Sequence, residues 1–273
     1  MRFIIDHDLH IHSNISSCAN YPDNTPSDIM KAAKKAGIKK IALTDHFWDM
    51  DVKCDIKAGS CGFDKLKSAL PLPKDDEVEF LFGCEIDVNY DMVVGVSSDK
   101  FDFFDIMLIS LTHNHKVGKT IREEDNLNSE RLSKIWISRI ECLLNMDLPF
   151  KKIGLSHLTA AHIARESDEV YKKTLDLIDE YDMKRVFTLA AERGIGIELN
   201  ATDMKYTEEN KDRILRIYRV AKECGCKFFC GGDSHHPSGV EYPRVSFIEN
   251  AIDELSLTED DKWPLARPEK RGF

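Results

Sequence analysis

Seven short apolar runs punctuate this chain, at about residues 3–8, 40–44, 78–87, 104–111, 152–156, 195–199 and 226–231. Each is continuously apolar rather than alternating, as a strand reads when both faces of its sheet are covered. Longer amphipathic stretches lie between them. One covers residues 26–37, with Thr25 as N-cap, Pro26 at the first helical position and Gly37 at the stop. Others cover 128–146, 169–193 before Gly194, and 207–224 before Gly225. Residues 49–77 hold Gly59, Gly62, Pro71 and Pro73 around a short helix and read as an excursion on one face. From about residue 256 the sequence is polar and contains proline, so it is expected to wrap the surface. No repeat or Gly/Ser linker divides the chain. Strands alternating with helices predict parallel βα units, and seven of them predict an α/β fold closed into a barrel. The expectation is a single domain over residues 1–273 with its core at about 3–243.

The formal net charge of -10 is the wrong sign for gripping duplex DNA or an anionic membrane, so neither a stable nucleic-acid complex nor membrane binding is expected. Phe3-Ile4-Ile5 reads as a strand and not as a leader, and no apolar run is long enough to span a bilayer. The expected compartment is the cytoplasm, where the eight cysteines stay as free thiols. Cys54 and Cys61, or Cys224, Cys226 and Cys230, match no common zinc spacing and read as buried thiols. Cys18 stands apart from them.

The histidines and acids are concentrated just after the strands. His10 and His12 follow the first, Asp45 and His46 the second, Glu85 ends the third, His113 follows the fourth, His157 the fifth, and Asp233 and His235 the seventh. In a β/α barrel those ends share one face, the face that carries chemistry. Imidazole mixed with carboxylate suits zinc, manganese or iron. His10 and His12, two apart on an extended segment, point to the same side.

Asp8-Leu9-His10-Ile11-His12-Ser13, Leu43-Thr44-Asp45-His46, Gly83-Cys84-Glu85-Ile86-Asp87 and Gly231-Gly232-Asp233-Ser234-His235 resemble the successive motifs of the polymerase and histidinol phosphatase (PHP) family. Ser110-Leu111-Thr112-His113, Gly154-Leu155-Ser156-His157 and Ile197-Glu198-Leu199-Asn200 resemble its middle motifs. The resemblance runs from residue 3 to about 243 and implies a distorted (β/α)7 TIM-like barrel. It further implies two or three divalent metal ions. His10, His12, Glu85 and Asp233 would hold the first, Glu85, His113 and His157 the second, and His46 and His235 the third. The third set would be completed by Cys18, where many members carry a histidine or an acid.

The implied activity is hydrolysis of a small phosphomonoester of the histidinol-phosphate type by metal-activated hydroxide, with Glu85 and His235 central to it. Asp45 has two readings, one orienting a ligand or moving a proton, the other capping the turn after the second strand. Arg122, Arg131 and Arg165, with Lys119, are the candidates for phosphate contacts. His115 and His162 rank behind His113 and His157 as ligands. Three other functions compete: a phosphodiesterase or nucleotidase of the same family, a metal-dependent amidohydrolase, and a module that binds without turnover.

Overall fold

A computed structural model describes residues 1–58 and 61–265. Gly59, within the irregular stretch, and residues 266–273 of the tail lie outside the described residues. Seven parallel strands form one nearly closed barrel in chain order. They are β1 His7–Ile11, β2 Lys40–Leu43, β3 Glu79–Asp87, β4 Ile106–Ser110, β5 Ile153–Ser156, β6 Gly196–Asn200 and β7 Lys227–Gly231. His46–Phe47 carries β2 onward beside the end of β3, pairing His46 with Glu85. The outer helices are α1 Pro26–Ala36, α2 Ser129–Leu144, α3 Asp168–Leu177, α4 Glu180–Arg193 and α5 Lys211–Glu223.

The first strand starts later than expected. Phe3 and Arg2 pair instead with the C-terminal segment, through Phe3 N–H to Leu257 O (3.1 Å) and a bridge between Arg2 and Thr258. Apolarity singles out Phe3-Ile4-Ile5, but the strand is the polar run after it, because its polar side chains are spent inside the barrel. The expected helix 169–193 is two helices. Asp179 breaks it, its side chain accepting from Asp182 N–H as the N-cap of α4. The first helix follows the sequence closely, with a Thr25–Asp28 capping box and Gly37 in the left-handed region at φ 74°.

The barrel interior is filled by Leu9, Ala42, Leu81, Ile106, Leu108 and Phe229, with Trp263 packed against them. Gly154 and Gly196 make room for this layer: a Cβ at Gly154 would lie 2.6 Å from the Phe229 ring, and one at Gly196 2.4 Å from Trp263. The tail therefore does more than wrap the surface. Trp263 is 6% exposed, and its indole N–H donates to Gly194 O at 2.9 Å. Among the described residues no helix is long and apolar enough to cross a membrane.

Candidate metal centre

Strand polarity brings the expected ligands together at one end of the barrel, around Glu85. Its Oε2 lies 2.9 Å from His46 Nδ1, 3.5 Å from His12 Nε2 and 3.6 Å from His10 Nε2. Its Oε1 lies 2.7 Å from His157 Nε2 and 3.6 Å from His113 Nε2. Asp233 Oδ1 stands 3.2 Å from His12 Nε2 and 3.7 Å from His10 Nε2. Three overlapping triplets bring their ligand atoms within 4.8 Å of one another: His10–His12–Glu85, His46–Glu85–His113 and His12–His46–His235. His46 thus meets the Glu85–His113 group as well as His235, and His12 belongs to two groups. The sequence had assigned each of them to one.

A second layer sets the imidazoles. His10 Nδ1 bonds Glu198 Oε1 at 2.7 Å, and His113 Nδ1 bonds Asp87 Oδ1 at 2.7 Å. Thr112 Oγ1 donates to His157 O at 3.0 Å, so at 2.9 Å it accepts from His157 Nδ1. In all three rings the proton is fixed on Nδ1, and Nε2 is left for a cation. Both His157 and Asp233 have left-handed backbones, at φ 33° and 48°.

The charges fit a cation. Burial disfavours ionised Glu85, but the imidazoles of His46, His113 and His10 outweigh it and hold the carboxyl well below its ordinary range. Burial also opposes charged His10, yet Glu198, Asp233 and Glu85 hold its pKa well above the ordinary value. His46 reaches about 10 the same way, through Glu85. Protons here occupy a place that buried carboxylates prepare for positive charge. At the rim, desolvation opposes ionisation of Cys18, but contacts with His235 and His46 prevail and bring it to about 7.

Other expected residues fall elsewhere. Asp45 Oδ1 accepts from Ser13 N–H (2.8 Å) and Ser16 N–H (3.2 Å), and its Oδ2 from Ser13 Oγ (2.6 Å). Both oxygens hold the loop after β1, and not the turn after the second strand that the sequence suggested. Arg122 pairs with Asp91 at 2.6 Å over the Tyr90 ring, and Arg131 pairs with Asp125 at 2.5 Å. Their own acids occupy these two guanidiniums, which speaks against the expected phosphate role. Arg165 forms no ion pair among the described residues and lines a cavity of about 390 Å³ with His115 and His162. Those two rings lie 5.2 and 5.8 Å from the His113 ring, outside the Glu85 cluster.

Sequence reasoning assigned no role to Glu198, Asp87, Thr112 or buried Arg139. Period two was the available signal for Asp87, two residues beyond Glu85 on the same strand. Arg139, 1% exposed, holds the His113 loop through Leu111 O, Asn114 Oδ1 and Thr120 O.

A parallel barrel with imidazoles and carboxylates gathered at its C-terminal mouth defines a metal-dependent phosphoesterase, and its centre binds divalent ions. The chain belongs to the PHP domain family, whose pattern it matches over residues 8–225. Among solved structures it resembles the histidinol phosphate phosphatase HisK of Lactococcus lactis subsp. lactis Il1403, crystallised with zinc, L-histidinol and phosphate. That likeness has a TM-score of 0.61 at 13% identity, over 93% of this chain and 95% of the other. It also resembles the HisK protein of Listeria monocytogenes, with a TM-score of 0.53 at 14% identity over 88% and 99% of the two chains. No curated protein sequence matches it.

Proposed function

We propose that this phosphatase hydrolyses a small phosphomonoester of the histidinol-phosphate type, acting in the cytoplasm as one domain. The observation that carries the reading is Glu85, whose Oε2 faces His46 and His12 while its Oε1 faces His157 and His113, an arrangement that would let one carboxylate serve two cations. His10, His12, Glu85 and Asp233 would hold the first ion, and Glu85, His113 and His157 the second. A third would sit with His46, His235 and Cys18. When bound, such ions supply a water acidic enough to ionise near neutral pH and neutralise charge on the phosphoryl oxygens.

The chain's own residues do the rest. Glu198, Asp87 and Thr112 keep three Nε2 atoms aimed inward. Asp45 holds the loop that carries His12 into the site. Arg165, without an acid partner among the described residues, would grip the phosphate of the arriving ester beside His162. The Lactococcus enzyme, solved with L-histidinol and phosphate, supports a small hydroxyl-bearing leaving group.

The test is phosphate release from histidinol phosphate, an aryl phosphate and mononucleotides by zinc- or manganese-loaded protein, with and without chelator. Chelator-sensitive turnover that is fastest on histidinol phosphate is expected. Faster turnover of a diester would overturn the substrate class.

A further inference from the structure

We propose that the cavity between α3 and α5 is a subsite for a primary ammonium group carried by the leaving alcohol, with Asp203 as its acceptor. The inference rests on the phosphomonoesterase reading above and names a group that the ester carries.

Asp203 follows β6 and is 4% exposed. Its Oδ2 accepts three hydrogen bonds, from Thr159 N–H at 2.9 Å, Thr159 Oγ1 at 3.0 Å and the Tyr218 hydroxyl at 3.0 Å. Its Oδ1 accepts none among the described residues, and the buried Tyr206 hydroxyl likewise makes no hydrogen bond there. A buried carboxylate oxygen without a donor is costly, so one that persists marks a place where a donor arrives. Asp203 and Tyr206 line one cavity of about 290 Å³, walled by Tyr171 of α3 and Ile214 of α5. A carboxylate beside two phenol rings suits a cation better than a neutral donor. The cations of the chain do not fill that role. Lys205 sets its Nζ over the Phe247 ring at 3.9 Å, and Arg165 pairs with no acid among the described residues.

The cavity adjoins the metal centre. Thr159 lies two residues after His157, and Ala164 and Arg165 line this cavity as well as the one beside His115 and His162. An ester whose phosphate meets Arg165 can therefore extend its other end toward Asp203. The charges follow that order, guanidinium to phosphate and carboxylate to ammonium.

The experiment compares kcat/KM of the metal-loaded protein on aminoalkyl and hydroxyalkyl phosphates, each with the second group at the far end of a chain of graded length. The amine should be preferred about tenfold or more at the length that reaches Asp203, mainly through KM, as one charge-assisted hydrogen bond would give. In Asp203→Asn the preference should vanish. The amide can keep the Thr159 and Tyr218 donors on its oxygen and turn its NH2 to where Oδ1 stood. No amine preference in the parent at any length, or an equal preference in Asp203→Asn, would overturn the proposal. Should Asp203→Asn fold poorly by circular dichroism, Tyr206→Phe decides instead. There the preference should fall about threefold or more, and an unchanged preference would overturn the subsite. Calorimetry with butylammonium chloride, set against potassium chloride at equal ionic strength, gives a readout without turnover, and equal heats from the two salts would count against the ammonium. Butylammonium binding that is lost in Asp203→Asn, with no phosphatase activity, would sink the phosphomonoesterase reading and keep the subsite. Turnover without amine preference would do the reverse.

Discussion

Replacing Glu198 by Gln tests whether the second layer sets the metal affinity of the first. Glu198 is fully buried and accepts three hydrogen bonds: from His10 Nδ1 at 2.7 Å, His157 N–H at 2.6 Å and Asn200 Nδ2 at 3.2 Å. His10 and Asn200 use one oxygen and His157 the other. Glutamine keeps the shape but offers one acceptor, so its NH2 must face a buried N–H whichever way the amide turns. Leaving one buried donor unsatisfied costs about 1–3 kcal/mol. If the cost falls mainly on the metal-bound state, zinc affinity drops roughly 5- to 150-fold, spanning the range of about 10- to 100-fold usual for such partners. The assay is competition with a chelating dye in zinc buffers, with circular dichroism to confirm the fold. Gly231→Ala should behave alike, because its Cβ would lie 1.8 Å from Glu198 Oε1 and displace the same carboxylate. The two substitutions together should cost less than the sum of each. Zinc affinity within about two-fold of the parent in Glu198→Gln, under 0.5 kcal/mol, would refute the argument.

Removing His235 as alanine should sharply reduce hydrolysis and leave the unfolding midpoint of the metal-free protein nearly unchanged; intact activity would take His235 out of the site. Arg165→Ala should raise KM for an aryl phosphate about tenfold or more through loss of a charge-assisted contact, whereas Arg122→Ala, which removes an exposed pair with Asp91 and the contact over Tyr90, should change it little. Equal effects in steady-state kinetics would reject Arg165 as the phosphate grip. Trp263→Ala empties the packed base of the barrel and should cost about 3–5 kcal/mol, seen by calorimetry as a midpoint lower by roughly 6–15 °C. A shift of a degree or two would mean that the indole is not part of the core.

Strand count, order and the ligand-bearing face were legible because apolar runs covered on both sides leave little else to be. Glu85, His46 and Asp233 were legible for a second reason, their recurrence just after those runs. The start of β1 was not, because a strand that spends its polar side chains on a site carries no apolar signature. Nor was the role of Trp263, since a lone tryptophan in a polar tail does not say what it will plug. The sharing of His12 and His46 between groups lies below what residue order can resolve. It depends on which ring nitrogen faces which carboxylate oxygen, and that is set by loops such as the one Asp45 holds.

The ring of strands closes in an unusual way. Along the other six junctions parallel ladders run between neighbours, with one irregularity between Asp8 and Ile11 in the β1–β2 pair, but among the described residues β1 meets the segment just after β7 through a single bridge, Ile11 to Ser234. Side chains stitch the remainder, with Cys230 N–H donating to His7 Nε2 at 2.9 Å and Gly232 N–H to Asp8 Oδ1 at 2.7 Å. His10 and His12 stand on one side of this seam, and Asp233 and His235 on the other. An ion held by His10, His12 and Asp233 would therefore also be a clasp on the barrel wall. Amide hydrogens of Cys230 and Gly232 would report the clasp directly, exchanging faster once the cations are stripped, while those in the middle of β3 and β4 keep their protection.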